Sequence, residues 1–436
     1  PPRSTPKPSS AASDVYKRQG VSSIVEQRAK CFRMDRGGGS GTTGSEMNID
    51  ILKSKRKGNL EYSKMYFFPT FLVYENKPRI GLYLSSQEML SRQSFSAGGS
   101  ISRDKEFDLN LSFELRMFKP TFAFEVFRSR KYYTFRSDVE EGGTSEYKTR
   151  YDLWDAYFHM ILEFEEPGYF NRNELDLRFN HGEYGLNIEI WELLKQKEFK
   201  GEVGWPYYKA NEISLVYYYK NIKRGVNADI CPRSGRKLLV EATAAFDKLH
   251  SGEFEFMFRP KFRDNNFGRY VLDYEEFIPM PFGSALSMKL MGGVIDNIVD
   301  DYFYLYMGGR DGLRGYSYYS LGGRKLALAR LKYSFPILSG INRQFFNVFI
   351  SSIYGSVFAE AGKAWDEDEV GFNGNKKDIG FEVRVKGFSF YSFPLAISFE
   401  GAYGLNDIEY TDPFNNQKTY YEGKNWKFYG SVLFNF

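Results

Sequence analysis

The sequence is short of the residues on which most site chemistry depends. Among 436 residues there are two cysteines, Cys31 and Cys231, and three histidines, His159, His181 and His250. Two cysteines exclude a disulfide framework and a thiolate metal cluster. The histidines lie on separate segments, and no G-x-S-x-G elbow, Walker loop or H-E-x-x-H pair is present. No enzymatic activity, cofactor or metal is therefore expected. An excess of one charge is also lacking. Lys and Arg number 59 against 55 Asp and Glu, a net +4, too little for nucleic acid to be the main partner. No run of about 18 apolar residues exists, which excludes transmembrane helices. Aromatics, by contrast, are abundant: 33 Tyr, 41 Phe and 5 Trp make 18% of the chain. So many rings in so polar a chain imply a surface that is apolar where water is absent.

Two stretches at the start stand apart. Pro1 to Gln19 read PPRSTPKPSSAASDVYKRQ, which resembles one reading frame of a transposon-based sequencing adapter with its index at Pro6-Lys7-Pro8. Residues 1–19 are set aside as an assembly artefact, and the native protein is expected to continue upstream. Residues 20–63 read as a flexible linker. Gly39, Gly41 and Gly44 match G-x-G-x-x-G by spacing, but that fingerprint needs a preceding strand, and Cys31 to Arg36 offers none. The basic run Lys53-Ser54-Lys55-Arg56-Lys57 reads as a solvated linker face, with attraction to lipid headgroups the lesser alternative.

From residue 64 to 436 the apolar positions recur with period two. In Phe107 to Met117, six apolar groups (Phe107, Leu109, Leu111, Phe113, Leu115, Met117) alternate with Asp108, Asn110, Ser112, Glu114 and Arg116. Successive side chains of a strand point to opposite faces, so this segment is a strand with one greasy and one polar side. The same alternation runs through 174–180, 378–386, 395–403 and 426–436. About sixteen strands are expected, over 65–75, 79–88, 94–103, 106–117, 121–131, 151–164, 173–181, 211–220, 236–247, 268–278, 284–294, 324–335, 350–362, 377–388, 395–405 and 426–436. Tight connections such as Glu75-Asn76-Lys77-Pro78 alternate with long ones over 132–150, 182–210 and 295–323. That suits a barrel with one plain and one elaborated end.

A soluble sandwich would show the same alternation. Three features favour an all-β transmembrane antiparallel barrel instead. Charges of both signs sit at mid-strand on the polar faces (Glu114, Arg178, Glu382, Arg384, Glu400), as a wet lumen requires. The apolar faces are long enough for the roughly 9–11 residues of a tilted membrane strand. Aromatics crowd strand ends, at Tyr66-Phe67-Phe68, Tyr132-Tyr133 and Tyr217-Tyr218-Tyr219, where interfacial girdles sit. Closure also removes every sheet edge.

One loop and one strand carry a family resemblance. Gly308-Gly309, then Leu313-Arg314-Gly315-Tyr316, then a strand opening at Gly323-Arg324-Lys325, resemble the BamA-like outer-membrane assembly barrels, the bacterial surface antigen family. The resemblance implies that this is the sixth extracellular loop, folded back into the lumen. It also implies that Arg314 pairs with an acid on the second strand after it. That acid is Glu360 in Val357-Phe358-Ala359-Glu360-Ala361-Gly362, where the family usually has Asp. Independently of the family, a guanidinium withdrawn from water needs a carboxylate partner. Alternation puts Glu360 on a face with Tyr354, Ser356, Phe358 and Gly362, and Val357, Ala359 and Ala361 on the lipid side. Phe434 and the terminal Phe436 resemble the family's carboxyl-terminal barrel signal, with Ser431 standing where Gly is usual.

Phe67-Phe68-Pro69 and Asp300-Asp301-Tyr302-Phe303 resemble barrels fused behind TolB-like propellers, which places such a propeller upstream. The implied role is insertion or translocation of proteins at the bacterial outer membrane, through lateral opening between the first and last strands. The implied partners are outer-membrane lipid, nascent outer-membrane proteins or translocated polypeptides, and the barrel-assembly machinery for its own insertion. The alternative is a passive pore, or a membrane anchor for the upstream propeller. The acidic run Asp366-Glu367-Asp368-Glu369 reads as a solvated loop.

Overall fold

The computed structural model describes residues 65–434 except 75–76, 89–91, 104, 140–142, 166–169, 194–196, 226, 229, 256–258, 300–302, 318–319, 346–347, 367–373, 390–392 and 412–418. The chain is built from strands and turns. In order they are β1 (Tyr66–Tyr74), β2 (Lys77–Gln87), β3 (Gln93–Ser102), β4 (Phe107–Leu115), β5 (Thr121–Val139), β6 (Gly143–Glu163), β7 (Asn171–Leu193) and β8 (Lys197–Ile222). Next come β9 (Gly235–Glu255), β10 (Arg259–Pro279) and β11 (Ala285–Ile295). Two short strands, β12 (Leu305–Tyr306) and β13 (Gly322–Gly323), belong to the loop that follows. Then come β14 (Lys325–Phe345), β15 (Val348–Trp365), β16 (Lys376–Ser389) and β17 (Phe393–Gly404). A small hairpin, β18 (Ile408–Thr411) with β19 (Thr419–Glu422), precedes β20 (Trp426–Phe434).

Leaving aside the two small pairs, sixteen strands run in sequence order around one closed antiparallel barrel. Neighbouring strands share long ladders. β1 meets β2 from Tyr66↔Ser85 to Tyr74↔Lys77, and β17 meets β20 from Leu395↔Phe434 to Tyr403↔Trp426. Closure is thin by comparison. Among the described residues, β1 and β20 are joined at two register pairs, Leu72↔Ser431 and Val73↔Gly430.

The wall inverts the chemistry of a soluble protein. Leu109 and Leu111 are each 49% exposed on the outer face, with Ile80, Phe124, Leu290, Val357 and Phe399 likewise exposed. The acids Glu174, Asp176, Glu212, Asp247 and Glu382 are buried on the inner face. Burial of a carboxylate is tolerable when a cation shares it. Arg178 Nε lies 2.6 Å from Asp176, Arg79 Nη2 lies 2.7 Å from Glu106, and Arg172 pairs with Glu174. An apolar outer skin over a charged, cross-braced interior is the arrangement of a membrane-spanning barrel, and the sandwich reading is excluded.

Several strands exceed the expected spans. The segments 132–150 and 182–210, expected as long loops, are mostly strand. β5 and β6 stay paired as far as Val139↔Gly143, and β7 and β8 as far as Leu193↔Lys197. β9, β10 and β14 are similarly extended. Period two marks a strand whose two faces meet different media. These hairpins run past the apolar band, where both faces meet water and the pattern fades. Residues 1–19 and 20–63, Glu75 and Asn76 of the first turn, Asp300 to Tyr302, and Phe436 lie outside the described residues.

Candidate functional site

The connection between β11 and β14, described at residues 296–299, 303–317 and 320–324, folds into the lumen instead of standing clear of it. Val299, Phe303, Leu305, Tyr306, Met307, Leu313 and Tyr316 form one buried cluster with Tyr151, Tyr184, Tyr208 and Phe267 of the wall. The Phe303 ring lies 5.1 Å from Tyr208 and 5.3 Å from Phe267, centroid to centroid. Aromatic pairs at such spacing add to the burial of their area.

The tip of this loop is a compact knot. Leu313 N donates to Met307 O at 2.5 Å, while Gly309 N lies 3.1 Å from Leu313 O and 2.8 Å from Tyr316 O. Gly309 has φ 87°, a left-handed conformation that glycine adopts without strain. Gly315 is required for a different reason, close approach. A Cβ there would lie 2.5 Å from Gly404 N and 2.8 Å from Asp378 Cβ.

Arg314 leaves this knot toward the inner face of β15–β17. Its Nη1 is 3.1 Å from Glu400 Oε2, its Nε is 3.5 Å from Glu360 Oε1, and its guanidinium carbon is 4.2 Å from the Phe358 ring centre. Its backbone N–H donates to Glu360 Oε2 at 3.0 Å, and its carbonyl accepts from Tyr429 OH at 2.8 Å. Burial alone would lower the guanidinium's pKa, but the surrounding acids Glu400, Glu360, Glu382 and Asp378 together raise it. The next residue, Gly315, donates its N–H to Asp378 Oδ2 at 2.7 Å. Tyr316 OH lies 3.0 Å from the carbonyls of Lys377 and Asn406 and accepts from Asn406 N at 3.1 Å.

Around this contact the acids oppose each other in register, Glu360 across from Asp378 and Glu382 across from Glu400. Like charges directly opposite destabilise a sheet, so the strip needs cations. Arg330 pairs with Glu360 and gives Nη2 to Gly312 O at 2.8 Å. Lys332 and Arg384 both pair with Glu382. Arg310 donates to Glu400 Oε1 from Nε at 2.9 Å and from Nη2 at 2.6 Å. The same Nη2 reaches Ser398 and Ser431 Oγ at 3.0 and 3.1 Å. The loop thus delivers two arginines to an acidic strip made by three strands.

The predicted site residues Gly308, Gly309, Leu313, Arg314, Gly315 and Tyr316 are all buried, and Glu360 lies among them. Contributors that escaped the sequence reading of this site include Glu400, Arg310, Arg330, Asp378 and Tyr429. Alternation had placed Glu400 inside but could not say beside what. Phe434 ends β20, in register with Leu395 of β17. The histidines lie elsewhere: His159 Nδ1 is 3.0 Å from Asp176, and His181 Nδ1 is 2.9 Å from Asn211 Oδ1. Asp366, expected in a solvated run, accepts from Tyr304 OH at 2.6 Å and Arg324 N at 2.9 Å. Glu367 to Glu369 lie outside the described residues.

No family model matches the chain, and none of the curated proteins matches it. Solved structures do. BamA from Haemophilus ducreyi lacking POTRA domains 1–3 superposes with a TM-score of 0.53 at 13% identity, over 96% of this chain and 79% of that one. The chain is a BamA-like barrel in fold. CdiB from Escherichia coli is similar too, with a TM-score of 0.52 at 12% identity over 84% of this chain. The BamA-like barrel spans 62% of the length of that CdiB.

Proposed function

We propose that this BamA-like barrel inserts proteins into the bacterial outer membrane, or passes them across it, by lateral opening between β1 and β20. The observation that carries the reading is the seam: among the described residues, two register pairs join strands that each hold their other neighbour along a full ladder. A strand pair so little bonded can part while the rest of the ring stays intact, and its freed edge can template an incoming strand. The sixth loop, seated through Arg314 on Glu360 and Glu400, acts as a strut that keeps the β15–β17 wall ordered during opening. The apolar outer face supports residence in the outer membrane, with lipid, nascent outer-membrane proteins and the barrel-assembly machinery as partners. No catalytic step is involved, and a TolB-like propeller upstream would supply a binding module.

The test is a reversible staple. With Leu72→Cys and Ser431→Cys joined by oxidation in proteoliposomes, assembly of a reporter outer-membrane protein is expected to fall at least about tenfold and to return on reduction. If the stapled and reduced forms work equally well, the seam does not open in function, and a passive pore or a propeller anchor takes its place.

A further inference from the structure

The barrel carries a second inward fold at the opposite end. The connection between β8 and β9, described at residues 223–225, 227, 228 and 230–234, lies at the end where the chain enters β1 and leaves β20. The other connections there are tight, such as 116–120 and 280–284. This one is closed at its neck by Lys223 N donating to Ser234 O at 2.9 Å, and its tip crosses to the far wall. Ala228, Ile230 and Cys231 are each 4% exposed. Ile230 and Cys231 pack with Ala285 of β11, Tyr354 of β15 and Ala396 of β17. Asn227 Nδ2 donates to Tyr354 OH at 3.0 Å, Lys386 Nζ to Asn227 Oδ1 at 3.2 Å, and Arg384 Nη1 to Ile230 O at 3.1 Å.

A turn in water has no reason to bury an isoleucine, nor an inner wall to aim Arg384 and Lys386 at a backbone carbonyl and an amide. We propose that the described residues of this turn (223–225, 227, 228 and 230–234) form a plug tethered at the β8–β9 neck, which closes the lumen at the chain-termini end and must swing out before anything passes. Its anchors differ in kind from those of the sixth loop. The sixth loop delivers buried arginines to carboxylates, whereas the turn is held through the Asn227 amide, the Ile230 carbonyl, a small apolar cluster and Arg233 Nη2 on Met280 O at 3.3 Å, contacts that are weak enough to release. Both closures nonetheless bear on one strip. Arg384 holds the Ile230 carbonyl and Glu382 together, and Glu382 lies in register opposite Glu400, which takes Arg310 and Arg314. Movement of β17, which pairs with β20, and of β16 beside it therefore loosens the plug and the sixth loop together.

A lumen thiol reports on the plug. Ser356 faces inward two residues deeper than Tyr354, where its hydroxyl meets Ser334 Oγ at 2.9 Å. In the full chain carrying Cys31→Ser, Cys231→Ala and Ser356→Cys, a cationic methanethiosulfonate is expected to react slowly. Replacing residues 225–232 by Asn-Gly, with folding checked by heat-modifiable migration, should speed the reaction at least about tenfold. Asn227→Ala with Tyr354→Phe removes the tip contact at unchanged length and should also speed it, so a shortened turn that fails to fold leaves the question decidable. Equal reactivity with native and altered turns would overturn the plug.

Discussion

Arg314 is shared by two carboxylates that are not equivalent. Glu400 meets the guanidinium at 3.1 Å, whereas Glu360 lies 3.5 Å from it and also accepts the Arg314 N–H and pairs with Arg330. Removing one partner of a buried ion pair costs about 3–5 kcal/mol, because the other charge is stranded. Arg314→Glu should lower stability by that order, read as the denaturant midpoint of the heat-modifiable folded band in lipid. Adding Glu400→Arg should recover part of the loss, and Glu360→Arg less of it. Either arginine would face a second cation, Arg310 at position 400 and Arg330 at position 360, but an arginine at 360 also cannot accept the backbone N–H of residue 314. Equal recovery from the two would mean that the pairing is not residue-specific. Glu360 was legible because a family resemblance pointed to it and alternation put it inside. Glu400 was legible as an inward charge but not as a partner, since that depends on the register between β16 and β17.

The strands differ in how firmly they are held. Among the described residues, β1 contributes one full ladder to β2 and a two-pair contact to β20, whereas β7 is laddered on both sides along most of its length. Amides of β20 that face β1 should therefore exchange with deuterium at least about tenfold faster than those of β7 in the membrane-embedded protein, measured by mass spectrometry of peptides. Matching protection across the barrel would argue against a weak seam. Strand existence was readable wherever lipid and lumen impose opposite demands on alternate residues, as in β4 or β16. The extension of β5 to β8 past the bilayer was not, because nothing there distinguishes one face from the other. The inward turn at 223–234 was equally hidden. Its own sequence, with Pro232-Arg233-Ser234-Gly235, reads as an ordinary loop, and what draws it in is Tyr354, Arg384 and Lys386, more than 120 residues away.

At the scale of the whole barrel, the outer face is the property on which membrane residence depends. Leu111, 49% exposed on β4, should not tolerate a charge: Leu111→Arg is expected to destabilise by about 2–4 kcal/mol in vesicles. Ser112→Arg, one residue along and facing the lumen, should be milder. Urea titrations of the two variants in the same lipid check the difference, and a reversed order would place the wrong face outward.

The acidic strip also dictates an order of construction. Glu360, Asp378, Glu382 and Glu400 face one another across β15, β16 and β17, and two of their cations ride on the β11–β14 loop. Until Arg310 and Arg314 arrive, those strands cannot dehydrate without stranding negative charge. The nascent ring must therefore stay hydrated along that wall while the loop crosses. The packed acidic wall is the last part to set, and a chain whose loop is delayed should accumulate as a swollen, protease-sensitive precursor already inserted in lipid.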